Sequence, residues 1–90
     1  MKKINIMITG CAGFIGFHLS NFLANENYNI YGVDNINNYY DVELKKNRLK
    51  LLKKNKNFIF YKTNIINKKK ISSIIKINKV NIIIHLAAQA

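Results

Sequence analysis

Ninety residues carrying a formal net charge of +11, one cysteine and no proline or tryptophan make one small domain at most. No apolar run approaches the roughly 18 residues of a membrane span, and the run behind Met1-Lys2-Lys3 is too short for a signal peptide. Cys11 has no partner for an internal disulfide, which fits a reducing, cytoplasmic compartment. The basic residues are spread over 45–56, 68–70 and single sites, with no interleaved aromatic residues, so they describe a solvated lysine face better than a nucleic-acid platform. Their positive potential still attracts anionic nucleotides.

Residues 4–9 form an Ile-rich run without clean alternation, the pattern of a strand buried on both faces. Gly10, Gly13 and Gly16 follow at three-residue spacing. The segment Phe14–Ala24 reads as a helix, with Ile15, Leu19, Phe22 and Leu23 as the apolar face that packs on the sheet. His18 reads as a helix-surface or packing histidine. After the turn-like Asn25-Glu26-Asn27, Tyr28–Val33 is a second strand, closed by Asp34. An irregular loop over 35–40 contains Tyr39 and Tyr40, which either pack the loop down or border a base. Asp41 is the N-cap of a helix over 42–54, with Leu44, Leu49, Leu51 and Leu52 apolar and lysines outside. Phe58–Tyr61 is a third strand. Asn67 caps a further helix, whose buried stripe is Ile71, Ile74 and Ile75. Val80–Leu86 is a fourth strand, almost continuous in apolar residues, and Leu86–Ala90 closes the chain.

The order βαβαβαβ implies a parallel sheet with right-handed crossovers. The fold class is therefore α/β: a Rossmann-like doubly wound parallel sheet, partial, in the order 3-2-1-4. A ligand belongs at the carboxyl ends of its strands, over the glycine turn. There Gly10 permits a sharp turn out of the strand, Gly13 lets backbone come close to phosphate, and Gly16 lets the helix lie on the sheet. The helix start adds N–H groups and a partial positive charge. Asp34 stands eighteen residues after Gly16, at the end of the second strand, where a carboxylate accepts from the adenosine ribose hydroxyls. Asn35 adds a second polar contact beside it. Read from the residues alone, this is a dinucleotide site.

The run Thr9-Gly10-Cys11-Ala12-Gly13-Phe14-Ile15-Gly16 resembles the fingerprint of the extended short-chain dehydrogenase/reductases, the nucleotide-sugar epimerases and dehydratases. Val33-Asp34-Asn35, the stretch Tyr39-Tyr40-Asp41-Val42 with Leu44, Lys45, Arg48 and Leu49, and the ending His85-Leu86-Ala87-Ala88-Gln89-Ala90 are similar to the UDP-glucuronate 4-epimerases. The resemblance implies that Gly10, Gly13, Phe14, Ile15 and Gly16 meet the pyrophosphate of NAD, and that Asp34 and Asn35 hold its adenosine ribose. A carboxylate at 34 with no arginine after it favours NAD over NADP. Asn64 and Ile65 fall where the family has an Asp followed by an aliphatic residue at the adenine edge; the amide keeps an acceptor and loses a charge. Leu86, Ala87 and Ala88 would run beneath the nicotinamide half, and Gln89 would face the sugar. His85 reads as structural. The implied reaction on a UDP-sugar removes a hydride from C4 of UDP-glucuronate to NAD and returns it to the other face, giving UDP-galacturonate.

The family's base lies in a Tyr-x-x-x-Lys pair. Four residues after Tyr28, Tyr31, Tyr39, Tyr40 and Tyr61 stand Gly32, Asn35, Glu43, Leu44 and Ile65, so no such pair exists within residues 1–90 and no catalytic or metal-binding residue is assigned. The expectation is the N-terminal part of an NAD-binding domain, inactive as it stands, with an open fourth-strand edge, marginal stability, and dimerisation only through parts beyond it. Two readings compete with the epimerase: a stand-alone dinucleotide-binding module and the cofactor half of a nucleotide-sugar 4,6-dehydratase.

Overall fold

The computed structural model describes residues 3–36 and 41–87. Along the chain run β1 (Asn5–Thr9), α1 (Phe14–Asn25), β2 (Asn29–Asp34), α2 (Val42–Leu52), β3 (Phe58–Lys62), α3 (Lys68–Ile77) and β4 (Ile82–His85). The four strands are parallel and ordered β3-β2-β1-β4, as the alternation of strands and helices requires. Thr9 pairs in register with Val33 on one side and His85 on the other, and Asp34 pairs with Lys62. The carboxyl ends of all four strands therefore lie side by side, and the segments that leave them share one end of the sheet.

Two cores sandwich the sheet. On one face Ile6, Ile8, Ile30 and Phe58 pack with Ala24 of α1 and with Leu49 and Leu52 of α2. On the other, Met7 and Val33 pack with Ile74 of α3, flanked by Ile71 and Ile75, which is the stripe expected for that helix. Consecutive β1 residues point to opposite faces, and both faces are covered, which is why the strand reads as unbroken apolar sequence. Asp41 caps α2 by accepting from the Leu44 N–H at 3.1 Å, and Asn67 caps α3 by accepting from the Lys70 N–H at 3.1 Å. At the opposite end of the sheet, Asn5 donates to the Asn78 carbonyl and accepts from Asn29, tying the starts of β1 and β2 to the turn before β4.

Two helix faces differ from the hydropathy pattern. On α1 the face against the sheet is Gly16, Ser20 and Ala24, with Leu19 and Leu23 beside it, whereas Ile15 and Phe22 are 66% and 60% exposed. Small residues one turn apart let this helix come closer than bulky ones would, and the bulky ones turn outward. On α2 the buried residues are Lys45, Leu49 and Leu52, while Leu44 and Leu51 are exposed. A lysine at the first position of the i, i+4, i+7 stripe displaces the expected leucine.

Candidate functional site

The first turn leaves β1 at Gly10, whose φ of +73° lies in the left-handed region. Space as well as torsion demands glycine there, because a Cβ would sit 2.8 Å from the Ala87 nitrogen, where the chain leaves β4. The turn is fastened to β2, with the Gly10 N–H donating to the Val33 carbonyl at 2.7 Å. At Gly16 a Cβ would collide with the Gly10 carbonyl oxygen, so the start of α1 is pressed against the turn it follows. Gly13 is the N-cap of α1 and supplies no side-chain cap, and the first turn holds no acidic residue. Among the described residues no side chain caps the N–H groups of this helix end, which suits an acceptor from outside. Phe14 and Ile15 are exposed at the same end.

Asp34, at the end of β2, is 7% exposed and engaged by three donors. Its Oδ2 accepts from the Ala12 N–H in the glycine turn at 3.1 Å, and its Oδ1 accepts from the Ile36 N–H at 2.8 Å. The Lys45 ammonium of α2 stands 3.6 Å from Oδ1. A carboxylate offers about four lone-pair sites, so this one is locked in place and still has capacity for a hydroxyl. Ile36, which it helps to hold, has a φ of +52°, a costly conformation for a β-branched residue. Asn35 is half-buried between them. From the next turn of α2, Arg48 Nη1 donates to the Ala12 carbonyl at 3.0 Å, and its guanidinium lies over the Phe14 ring. The glycine turn is thereby held at both Ala12 backbone groups by residues outside it.

Cys11, inside the turn, is fully buried. Burial first, and the Asp34 charge second, push its thiol well above the ordinary range, which leaves it a packing residue.

Further along the same sheet end, the Thr63 N–H donates to the Asp34 carbonyl at 3.1 Å and brings the β3 exit beside Asp34. Asn64 is exposed there, and its carbonyl oxygen already accepts from the Ile66 N–H at 3.1 Å in a local turn; Ile65 is half-buried. On the other side of β1 the Thr9 hydroxyl accepts from the Leu86 and Ala87 N–H groups at 3.0 and 3.2 Å. The same hydroxyl lies 2.8 Å from His85 Nδ1, within hydrogen-bond distance. Leu86 is exposed and Ala87 half-buried. Ala88, Gln89, Tyr39 and Tyr40 lie outside the described residues. The structure thus gathers Gly10, Gly13, Phe14, Ile15, Gly16, Asp34 and Asn35 into one concentrated group, with Asn64 and Ile65 beyond β2 and Leu86 and Ala87 beyond β1.

Thr9, Lys45 and Arg48 stand in the stretches that carry the resemblance, but the sequence alone assigns them no role in this site. For Lys45 a signal was present: Lys45, Leu49 and Leu52 at i, i+4 and i+7 place a lysine on the buried stripe. The Thr9–His85 contact depends on strand register and left none.

The arrangement suits the adenosine end of a dinucleotide: amide donors at a helix start for phosphate, and a fixed carboxylate one strand away for sugar hydroxyls. A profile of the GDP-mannose 4,6 dehydratase family matches residues 7–90. A UDP-glucuronate 4-epimerase of Thermodesulfobacterium geofontis is 45% identical over 84 residues, covering 93% of this chain and 26% of the relative. The crystal structure of the Bacillus cereus UDP-glucuronic acid 4-epimerase with UDP-glucuronic acid and NAD superposes with a TM-score of 0.83 at 32% identity, over 94% of this chain and 26% of the other. A dTDP-glucose 4,6-dehydratase of Bacillus anthracis in complex with NAD gives a TM-score of 0.78 at 31% identity, over 96% of this chain and 27% of the other. The chain spans about a quarter of the length of these relatives.

Proposed function

The chain belongs to the GDP-mannose 4,6 dehydratase family, and from that premise we propose that it is the NAD-holding N-terminal part of a cytoplasmic nucleotide-sugar epimerase that interconverts UDP-glucuronate and UDP-galacturonate. The observation that carries the cofactor assignment is Asp34, held by the Ala12 and Ile36 N–H groups beside the uncapped start of α1. Its negative charge accepts ribose hydroxyls and repels a 2′-phosphate. Gly10, Gly13, Phe14, Ile15 and Gly16 take the pyrophosphate through backbone N–H groups, and Asn35 joins Asp34 at the ribose. Asn64 and Ile65 edge the adenine. Leu86, Ala87 and Ala88 underlie the nicotinamide half, and Gln89 faces the sugar. NAD, when bound, supplies the hydride acceptor for C4 of the sugar; the residues of this chain bind and orient it. No Tyr-x-x-x-Lys pair lies within residues 1–90, so these residues are assigned cofactor binding and no proton transfer.

The epimerase reading draws support from the identity to the Thermodesulfobacterium enzyme, and a 4,6-dehydratase is the second reading, supported by the Bacillus anthracis neighbour. Calorimetric titration of residues 1–90 with NAD tests the cofactor assignment. Saturable one-to-one binding is expected; no heat from a chain that is folded by circular dichroism contradicts it. Assay of the complete gene product separates the two readings. UDP-galacturonate formed from UDP-glucuronate supports the epimerase, and a 4-keto-6-deoxy sugar nucleotide supports the dehydratase.

A further inference from the structure

Asp34 repels a 2′-phosphate, yet the fold places a cation directly against it. Lys45 Nζ lies 3.6 Å from Asp34 Oδ1, and Lys45 is 6% exposed, on a helix whose Lys46 and Lys50 face solvent. A lysine is seldom buried without a partner for its charge. Three residues on, Arg48 is committed elsewhere, to the Ala12 carbonyl and the face of Phe14. Residues next to Asp34 in sequence include no arginine, but α2 returns over the turn and delivers the positive charge eleven positions later. The selectivity of this corner is therefore set by a balance. A carboxylate at 34 takes hydroxyls, and an ammonium beside it suits a phosphate once the carboxylate no longer neutralises it.

We propose that Lys45 is a second specificity-determining residue of the nucleotide site. With Asp34 in place, Lys45 steadies the carboxylate that receives the ribose hydroxyls; where an uncharged residue replaces Asp34, Lys45 receives the 2′-phosphate of NADP. This rests on the nucleotide site proposed above.

The test is the affinity of residues 1–90 for NAD and for NADP in four chains, with folding followed by circular dichroism. The unaltered chain prefers NAD. Asp34→Asn keeps the side-chain shape and an acceptor, and shifts the NADP-to-NAD affinity ratio by about tenfold or more toward NADP. Adding Lys45→Met to Asp34→Asn removes that gain, whereas adding Lys45→Arg preserves most of it. Lys45→Met in the otherwise unaltered chain lowers the residual NADP affinity more than the NAD affinity, a comparison that stands even if Asp34→Asn does not fold. Retention of the NADP gain in Asp34→Asn/Lys45→Met overturns the proposal, as does an equal loss for both nucleotides in Lys45→Met. An unaltered chain that binds NAD while Asp34→Asn gains nothing for NADP overturns this inference alone. A folded chain that binds neither nucleotide overturns the site itself and this inference with it.

Discussion

Around β2 the chain is closed on every side. Ile30 and Val33 are fully buried, and Asp34, at 7% exposed, is tied to the glycine turn, its own loop and α2. One strand beyond β1, on β4, Ile82 and Ile83 are 45% and 51% exposed, and among the described residues the outer edge of the strand has no neighbour in the sheet. The same apolar composition therefore produces core on one side and open surface on the other. On the proposed function, the difference separates two corners of a nucleotide site. The ribose and phosphate corner has its turn, its carboxylate and its second layer in place. The corner beyond β4 has a strand exit positioned by Thr9 and His85 and, among the described residues, an uncovered sheet edge.

The contrast can be broken most severely at Gly16. An added methyl meets the Gly10 carbonyl and the Cys11 Cα, both backbone, and neither can move without undoing the turn. Gly16→Ala is expected to cost at least about 3 kcal/mol and to abolish cooperative urea unfolding followed at 222 nm. A side-by-side truncation sharpens the contrast: Ile30→Ala should cost about 2–5 kcal/mol as a fully buried core deletion, and Ile83→Ala less than about 1 kcal/mol. Equal losses in urea midpoints would show that β4 is covered in solution.

A smaller effect comes from Cys11. Its thiol keeps its proton in the folded chain at pH values where the unfolded chain, with the ordinary value of 9.0, gives it up. Folding stability is then unaffected by this group below pH 9.0 and falls as pH rises above it, by up to about 1.4 kcal/mol per pH unit. Cys11→Ala should remove that part of the slope in melts between pH 8 and 10.5. The native thiol should also resist iodoacetamide at pH 8 and react once urea unfolds the chain. Least affected in stability is Ile83→Lys, expected within about 0.5 kcal/mol of the parent. It places a charge on an exposed edge and should lower the concentration-dependent light scattering that an open strand promotes.

The topology was legible because each strand is a short apolar run bounded by polar turn residues, and strict alternation with helices leaves one simple parallel order. The carboxylate at 34 and the glycine turn were legible for the same reason, being local in sequence. What escaped were contacts between elements. Hydropathy ranks Ile15 and Phe22 as the inward residues of α1, but close approach to a sheet selects small side chains, and Gly16, Ser20 and Ala24 took the place instead. Lys45 reads as one more surface lysine until the helix phase puts it with Leu49 and Leu52. That Thr9 sets the β4 exit follows from register alone.

The central claim is that these residues form the adenosine half of an NAD site. Its most direct test is a titration of the isotopically labelled chain with ADP-ribose, followed by amide NMR. Saturable shifts are expected at Gly10, Cys11, Ala12, Gly13, Phe14, Ile15, Gly16, Asn35 and Ile36, with an affinity close to that for NAD and little effect from nicotinamide mononucleotide. Shifts confined to the exposed lysines of α2, or none in the glycine turn at saturating ADP-ribose, would contradict it.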